Sequence, residues 1–363
     1  MNLPSETLVR HLLAELIDPH TGAPLAEAIR AVGVDGARVS LDLQLGYPVA
    51  DVQPIVERVQ QALLADPSIE AAAVSVGSRL YAHKVQGTLA PLPNVKNIIV
   101  VASGKGGVGK STVSANLALA LLAEGAKVGV LDADIYGPSQ PRMLGIAGKP
   151  HSPDGKTIVP MQSHGLQIMS IGFLVDEETP MIWRGPMVTQ AMMQLLTDSR
   201  WEALDYLIVD LPPGTGDIQL TLSQKVPVAG AVIVTTPQDI ALLDARKALK
   251  MFEKVEVPVL GVVENMATHV CSNCGHEEHI FGEGGGARMA EQYGVAYLGS
   301  LPLDIRIREQ SDSGTPVVAA MPASDLALRY REIARNAAGR LSRQPRNKSL
   351  GLGKIVVQGT PAA

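Results

Sequence analysis

An apolar run, Ile98-Ile99-Val100-Val101-Ala102, leads through Ser103 into Gly104-Lys105-Gly106-Gly107-Val108-Gly109-Lys110-Ser111-Thr112. A glycine loop joining a buried strand to a helix admits few folds, and this one fits two patterns at once. As G-x-G-x-x-G, with Asp132 at the end of the next strand, it is a dinucleotide turn. As G-x-x-x-x-G-K-S it is a triphosphate loop. Lys110 and Ser111 decide, because a dinucleotide turn has no use for an amine and a hydroxyl at the helix start. A triphosphate uses both, Lys110 on the β- and γ-phosphates and Ser111 on magnesium. The glycines let backbone N–H groups converge on phosphate, the helix N-terminus adds positive potential, and Thr112 is placed to reach the α-phosphate.

The surrounding grammar agrees. Residues 127–131, 206–209, 230–235 and 259–263 are further apolar strand-length runs, each followed by a polar or glycine-bearing loop, and 111–124 reads as a helix. Buried strands alternating with helices predict an α/β fold, a doubly wound, mostly parallel sheet with ligands at the carboxyl ends of its strands. The 46 % hydrophobic content with only 3 % aromatics suits helices on a parallel sheet better than an all-β sandwich.

Residues 1–82 read as a small α+β accessory domain. Ser5 can cap a helix carrying Leu8, Leu12, Leu13 and Leu16, which Asp18-Pro19 ends. Val39, Leu41, Leu43 and Leu45 alternate with polar residues as in a half-buried strand. A second helix (Val52, Val56, Val59, Leu63) and a strand at 71–76 follow. Residues 83–96 are a Gly- and Pro-bearing linker, 97–342 the nucleotide domain ending in a helix at 324–341, and 343–363 a flexible tail. A net charge of −5 argues against a nucleic-acid partner. No apolar run reaches membrane-spanning length, and the first residues carry Glu6 rather than a signal-peptide core, so the expectation is a cytoplasmic protein with no membrane partner.

Asp132-Ala133-Asp134 and Asp210-Leu211-Pro212-Pro213-Gly214-Thr215-Gly216-Asp217 both follow strands, on the edge that carries the glycine loop. An aspartate ending an apolar strand opposite such a loop suits a hydrated magnesium ion, a role that falls to Asp210. The absence of an Asn-Lys-x-Asp guanine motif favours ATP over GTP.

Two cysteines in 363 residues cannot make a disulfide framework, yet they stand together as Cys271-Ser272-Asn273-Cys274, followed by Gly275-His276 and then His279. Residue types alone leave several readings open. Structural thiols do not suit a polar, glycine-flanked loop. A redox dithiol usually opens a helix in another fold. A zinc site from Cys271, Cys274, His276 and His279 would crowd four ligands into nine residues.

The stretch from Lys105 to Thr112 resembles the deviant phosphate loop of the family that includes MinD, ParA, the arsenical pump ATPase and nitrogenase iron protein. The resemblance implies a sandwich homodimer in which Lys105 of one subunit reaches the phosphates held by the other, as an arginine finger does. It makes Asp132-Ala133-Asp134 the first switch, with Asp134 orienting the attacking water, and Gly214, Gly216 and Asp217 the second. It also turns the amide of Asn265 toward the purine, with the Pro302-Leu303-Asp304 turn flanking the base. The implied dimer adds a fourth reading of the cysteines, in which two Cys-x-x-Cys pairs meeting on a twofold axis supply the four thiolates of a [4Fe–4S] cluster.

Taken with Asp132 to Ser139, Asp210 to Asp217, and Cys271 to Gly275 leading into Ile280-Phe281-Gly282, the chain over 97–341 resembles the Mrp/ApbC family of iron–sulfur cluster carriers. Residues 1–82 resemble the accessory domain of its bacterial members. Ser272 stands where many relatives have proline. The resemblance implies that a homodimer accepts a cluster from an assembly scaffold and passes it to apo iron–sulfur proteins with ATP hydrolysis. The rival readings are a MinD/ParA-like positioning ATPase and a zinc- or metal-delivery ATPase. The first needs an amphipathic tail or a basic face, whereas the basic stretch at 343–348 is broken by Pro345.

Overall fold

The computed structural model describes residues 3–135, 137–173, 185–271 and 273–347. Tyr136 of the first-switch motif, Ser272 of the cysteine motif and residues 348–363 of the expected tail lie outside the described residues.

The N-terminal unit comprises α1 (Glu6–Ala14), β1 (Ile29–Asp35), β2 (Arg38–Leu45), α2 (Gln53–Leu64) and β3 (Ala71–Ser78). Ser5 caps α1 by accepting from the Leu8 N–H at 3.2 Å. Strand β2 pairs antiparallel with β1 and parallel with β3. Its alternation resolves as expected, with Val39, Leu41, Leu43 and Leu45 buried beneath the helices.

The larger unit follows as β4 (Val95–Ala102), α3 (Lys110–Ala123), β5 (Val128–Asp132), α4 (Gln140–Met143), β6 (Met161–Ser163), β7 (Leu166–Ser170), α5 (Gly185–Asp198), β8 (Leu204–Asp210) and α6 (Asp217–Lys225). It continues as β9 (Gly230–Thr235), α7 (Asp239–Lys254), β10 (Val259–Glu264), β11 (His269–Val270), β12 (Glu277–Glu278), α8 (Gly285–Tyr293), β13 (Tyr297–Ser300), α9 (Ile305–Asp312), α10 (Val317–Ala320) and α11 (Asp325–Ser342). Eight strands form one sheet in the order β13-β10-β9-β4-β8-β5-β7-β6, parallel except for the edge strand β6. The reversals of strand order around β4 bring the loops after β4, β5, β8 and β10 to one carboxyl edge.

Helix α3 is buried nearly all round, because it lies between the sheet and α11. Its apolar residues and those of α11 form one continuous core with Val9, Leu13, Leu43 and Leu63 of the N-terminal unit. A second core on the opposite face gathers α5, α7 and the outward residues of β4, β8 and β9. The two units are therefore joined through packed hydrocarbon. Glu124, at the end of α3, fixes the join. Its side chain is fully buried and accepts from the Ala50 N–H at 2.9 Å, Arg331 Nε at 2.8 Å and Arg335 Nη1 at 3.0 Å.

The chain just beyond α11 departs from the expected loose tail. The Lys84 N–H donates to Pro345 O, the Asn347 N–H donates to Ala82 O, and the Arg346 guanidinium lies 3.7 Å from the Tyr81 ring centre. Residues 345–347 clasp the junction of the N-terminal unit and the linker at 81–84, where cation–π stacking and unspent backbone groups are both available.

Removing a buried partner strands the charges it paired, so Glu124→Ala should lower the unfolding free energy by about 3 kcal/mol. Urea titration measures this, and a loss below about 1 kcal/mol, the value of a surface pair, would show that Glu124 is no structural tie.

Candidate functional site

The loop at 104–111 leaves β4 and becomes α3, with Gly109 at φ +82° as the residue before the helix. A side chain at Gly109 would collide with Asn265, and one at Gly104 with the backbone of Asp244 on α7, so both positions exclude a Cβ. Asn265 is buried and donates from Nδ2 to Val108 O at 2.8 Å, while its N–H holds Thr235 O. Its amide thus braces the back of the loop. Asp304, in the turn expected beside a base, caps α9 through the Arg306 N–H and pairs with the Arg306 guanidinium at 2.7 Å.

Lys110 turns inward. Its Nζ lies 2.6 Å from Asp210 Oδ1, 3.2 Å from Ser111 Oγ and 3.9 Å from Asp134 Oδ2. Asp210 is fully buried and also accepts from Ser114 Oγ at 2.9 Å and Gln140 Nε2 at 3.0 Å. The parallel register of β5 and β8 sets Asp132 directly beside Asp210. Asp132 accepts from the N–H groups of Asp134 and Gln140 and from Ser170 Oγ. Burial, and next the neighbouring Asp210 charge, push the Asp132 carboxyl up to about 7. The second-switch segment is tied to the loop's entrance, where the Gly214 N–H donates to Ser103 O at 2.9 Å. Asp217 opens α6 on the exposed side, and no bond joins it to the Lys110 cluster among the described residues. Lys105 and Thr112 are half-buried on the loop and the first turn of α3.

Lys110 therefore faces two carboxylates, with Asp132 beside Asp210, and two further buried oxygens, Ser139 Oγ and Gln140 Oε1, have no hydrogen-bond partner among the described residues. The Ser111 hydroxyl and the Asp210 carboxylate suit a hydrated magnesium ion, which keeps several waters and needs few protein oxygens. Ser114, Gln140 and Ser170 were not foreseen from sequence. Ser114 could have been found by the helical i, i+4 relation to Lys110, and Ser170 by its place at the end of a strand beside β5. Nothing local marked Gln140.

The cysteines occupy a hairpin between β11 and β12 that springs from the end of β10, two strand spacings or about 10 Å from β4. The Cys271 N–H donates to His276 O, and the Gly275 N–H, at φ +73°, donates to Cys271 O. Backbone N–H groups of Cys274 and Asn273, then the Cys274 thiol, turn toward the Cys271 sulfur and hold its pKa below the usual thiol value. Cys271 is half-buried and Cys274 exposed, and both are free thiols. His276 and His279 pair loosely with Glu278 and Glu283. Among the described residues no three His, Cys, Asp or Glu side chains converge to hold a metal, so the four-ligand zinc set is not assembled within one chain.

Helix α7 links the phosphate loop and the cysteine hairpin. Its Asp244 backbone abuts Gly104, and Pro237 just before it meets the chain after the hairpin at Gly282 and Gly285. Ile240 and Leu243 on α7 and Val270 and Ile280 on the hairpin are each at least half exposed. Among the described residues, no helix is long and apolar enough to cross a membrane.

The sheet, loop and acidic edge define a P-loop NTPase. A family model described as NUBPL iron-transfer P-loop NTPase matches residues 94–338, and one described as iron-sulfur cluster assembly protein matches 6–76. The chain is 61 % identical over 278 residues to the iron-sulfur cluster carrier protein of Pseudomonas fragi, covering 76 % of this chain and 97 % of that one. It is 51 % identical over 257 residues to the mouse (Mus musculus) iron-sulfur cluster transfer protein NUBPL, covering 70 % of this chain and 81 % of the relative. A nucleotide-binding protein from Archaeoglobus fulgidus, solved in complex with ADP, superposes with a TM-score of 0.55 at 40 % identity, over 61 % of this chain and 87 % of that one. The cell division ATPase MinD of Pyrococcus furiosus shares the fold, with a TM-score of 0.51 at 23 % identity over 66 % of this chain and 97 % of that one. The chain belongs to the family of NUBPL iron-transfer P-loop NTPases.

Asn265→Asp would set a carboxylate against Val108 O. Opposing two buried acceptors costs about 1–3 kcal/mol, so affinity for ATP and for inorganic tripolyphosphate should fall together by about tenfold or more. Competitive displacement measures both. A loss confined to ATP would show that Asn265 reads the purine instead of bracing the loop.

Proposed function

We propose that this protein is an ATP-hydrolysing carrier that holds an iron–sulfur cluster between two copies of the chain and transfers it to apo-proteins. The carrying observation is the half-site: two free thiols per chain on an exposed hairpin, Cys271 turned toward by backbone N–H groups, at the sheet edge that carries the phosphate loop. A [4Fe–4S] cluster takes four thiolates, and a twofold axis through the hairpin supplies them. The exposed apolar residues Ile240, Leu243, Val270 and Ile280 give the second copy a surface to cover. The carrier and transfer names of the relatives support the same cargo. A shared, superficial site suits a cargo that must leave again.

At the nucleotide site, the loop N–H groups and the α3 N-terminus bind the β- and γ-phosphates of ATP. Lys110 exchanges Asp210 for phosphate oxygen, so a buried ion pair opens as the ligand's charge arrives. Ser111 and Asp210 would hold magnesium, which when bound neutralises phosphate charge. Asp134, beside Lys110 at the exit of β5, orients the attacking water. Lys105 of the second copy stabilises charge on the transferring phosphoryl group. Gly214, tied to the loop's entrance, and Asp217 at the start of α6 sense whether that group is present.

Anaerobic reconstitution with iron and sulfide tests the cargo. The expected result is one [4Fe–4S] cluster per two chains, read as iron content, charge-transfer absorbance and dimer mass, and lost in Cys271→Ser or Cys274→Ser. Tight zinc binding with no iron uptake would overturn the reading in favour of metal delivery. Lys110→Ala should abolish ATP hydrolysis and cluster transfer while the reconstituted protein still takes up iron; full transfer by this variant would sever hydrolysis from the carrier role.

A further inference from the structure

We propose that Gln140 is a positioning residue of the magnesium site. Its amide nitrogen holds Asp210 in place, and its amide oxygen accepts a hydrogen bond from a water of the hydrated ion. The inference rests on the reading of this edge as a magnesium–nucleotide site.

Gln140 is fully buried at the start of α4. Its Nε2 donates to Ser111 O and to Asp210 Oδ2, both at 3.0 Å, and its backbone N–H donates to Asp132 Oδ2 at 3.0 Å. One residue thus touches the phosphate loop, the end of β5 and the end of β8. The orientation of the amide is forced, since a backbone carbonyl and a carboxylate only accept, so the nitrogen must face them. The oxygen is thereby turned the other way. It is buried and finds no donor among the described residues, and the adjacent Ser139 Oγ is in the same position.

A buried acceptor on the same amide that holds Asp210 matches what an outer-sphere ligand must supply, because the waters of a hydrated divalent cation are strong donors. Gln140 also covers Asp210 when Lys110 leaves it. Lys110 and Ser114 share Oδ1, whereas Oδ2 belongs to Gln140, so departure of the lysine leaves the carboxylate oriented. Being neutral, the amide does this without adding another carboxylate to Asp132, Asp134 and Asp210.

The test titrates the full chain with a fluorescent ADP analogue, in EDTA and in magnesium. The readout is the ratio of the two affinities. Gln140→Met keeps the length but has neither donor nor acceptor, and should cut the magnesium-dependent tightening, the ratio of the two affinities, by about tenfold, the scale of an outer-shell contact. Gln140→Glu keeps an oxygen at the same reach and should retain the tightening while weakening metal-free binding. An equal loss in Gln140→Met with and without magnesium, or an unchanged ratio, would overturn the proposal. Should Gln140→Met fail to fold, loss of the magnesium effect in Gln140→Glu overturns it instead. If the unmutated chain shows no magnesium effect on ADP, the reading of the site falls, and this inference with it.

Discussion

Asp210 is a carboxylate without solvent access, and the arrangement around it follows from that fact. A buried charge persists only when it is paired and hydrogen-bonded. Lys110 supplies the charge and Ser114 and Gln140 the remaining hydrogen bonds. Those donors come from the loop–helix junction after β4 and from α4, so satisfying one carboxylate draws together separate connections of the sheet. The pairing also suits a binding site. A lysine already buried and dehydrated gives up little hydration when it moves to phosphate.

The second half of the structure is organised by exposure. Cys271 and Cys274 sit on a short hairpin with little core of its own, held by backbone bonds at Cys271 and Gly275 and by the strand end that braces the phosphate loop. Glu264, one residue before Asn265, accepts the Gly286 N–H that opens α8, the helix resuming the fold after the hairpin. Neighbouring residues of one strand end therefore hold the loop and the far flank of the hairpin.

Much of this was legible in the sequence because it is local. The glycine loop, the strand-ending Asp132 and Asp210, the cap at Ser5 and the Cys-x-x-Cys turn each declare themselves within a few residues. What was hidden depends on register and packing. Gln140 carries no local mark, and only the packed fold sets it across from Ser111 and Asp210. Asn265, expected to face a purine, gives an amide hydrogen to Val108 O, a partner 157 positions away in the chain that no local pattern reveals. The clasp of 345–347 on the linker was unreadable for the same reason, since a polar, Pro-bearing stretch carries no periodicity to show what it will meet. The edge hairpin of β6 and β7 was missed because strands of three and five residues show too little alternation to read.

The side-by-side setting of Asp132 and Asp210 has a consequence for how the molecule matures. These residues are partners only if β5 and β8 pair in their native alignment, and a slipped pairing would separate the acids or turn one to the other face of the sheet. The polar edge and the sheet alignment are thus completed together. A nascent chain that has acquired affinity for nucleotide has, by that act, passed an inspection of its own strand pairing.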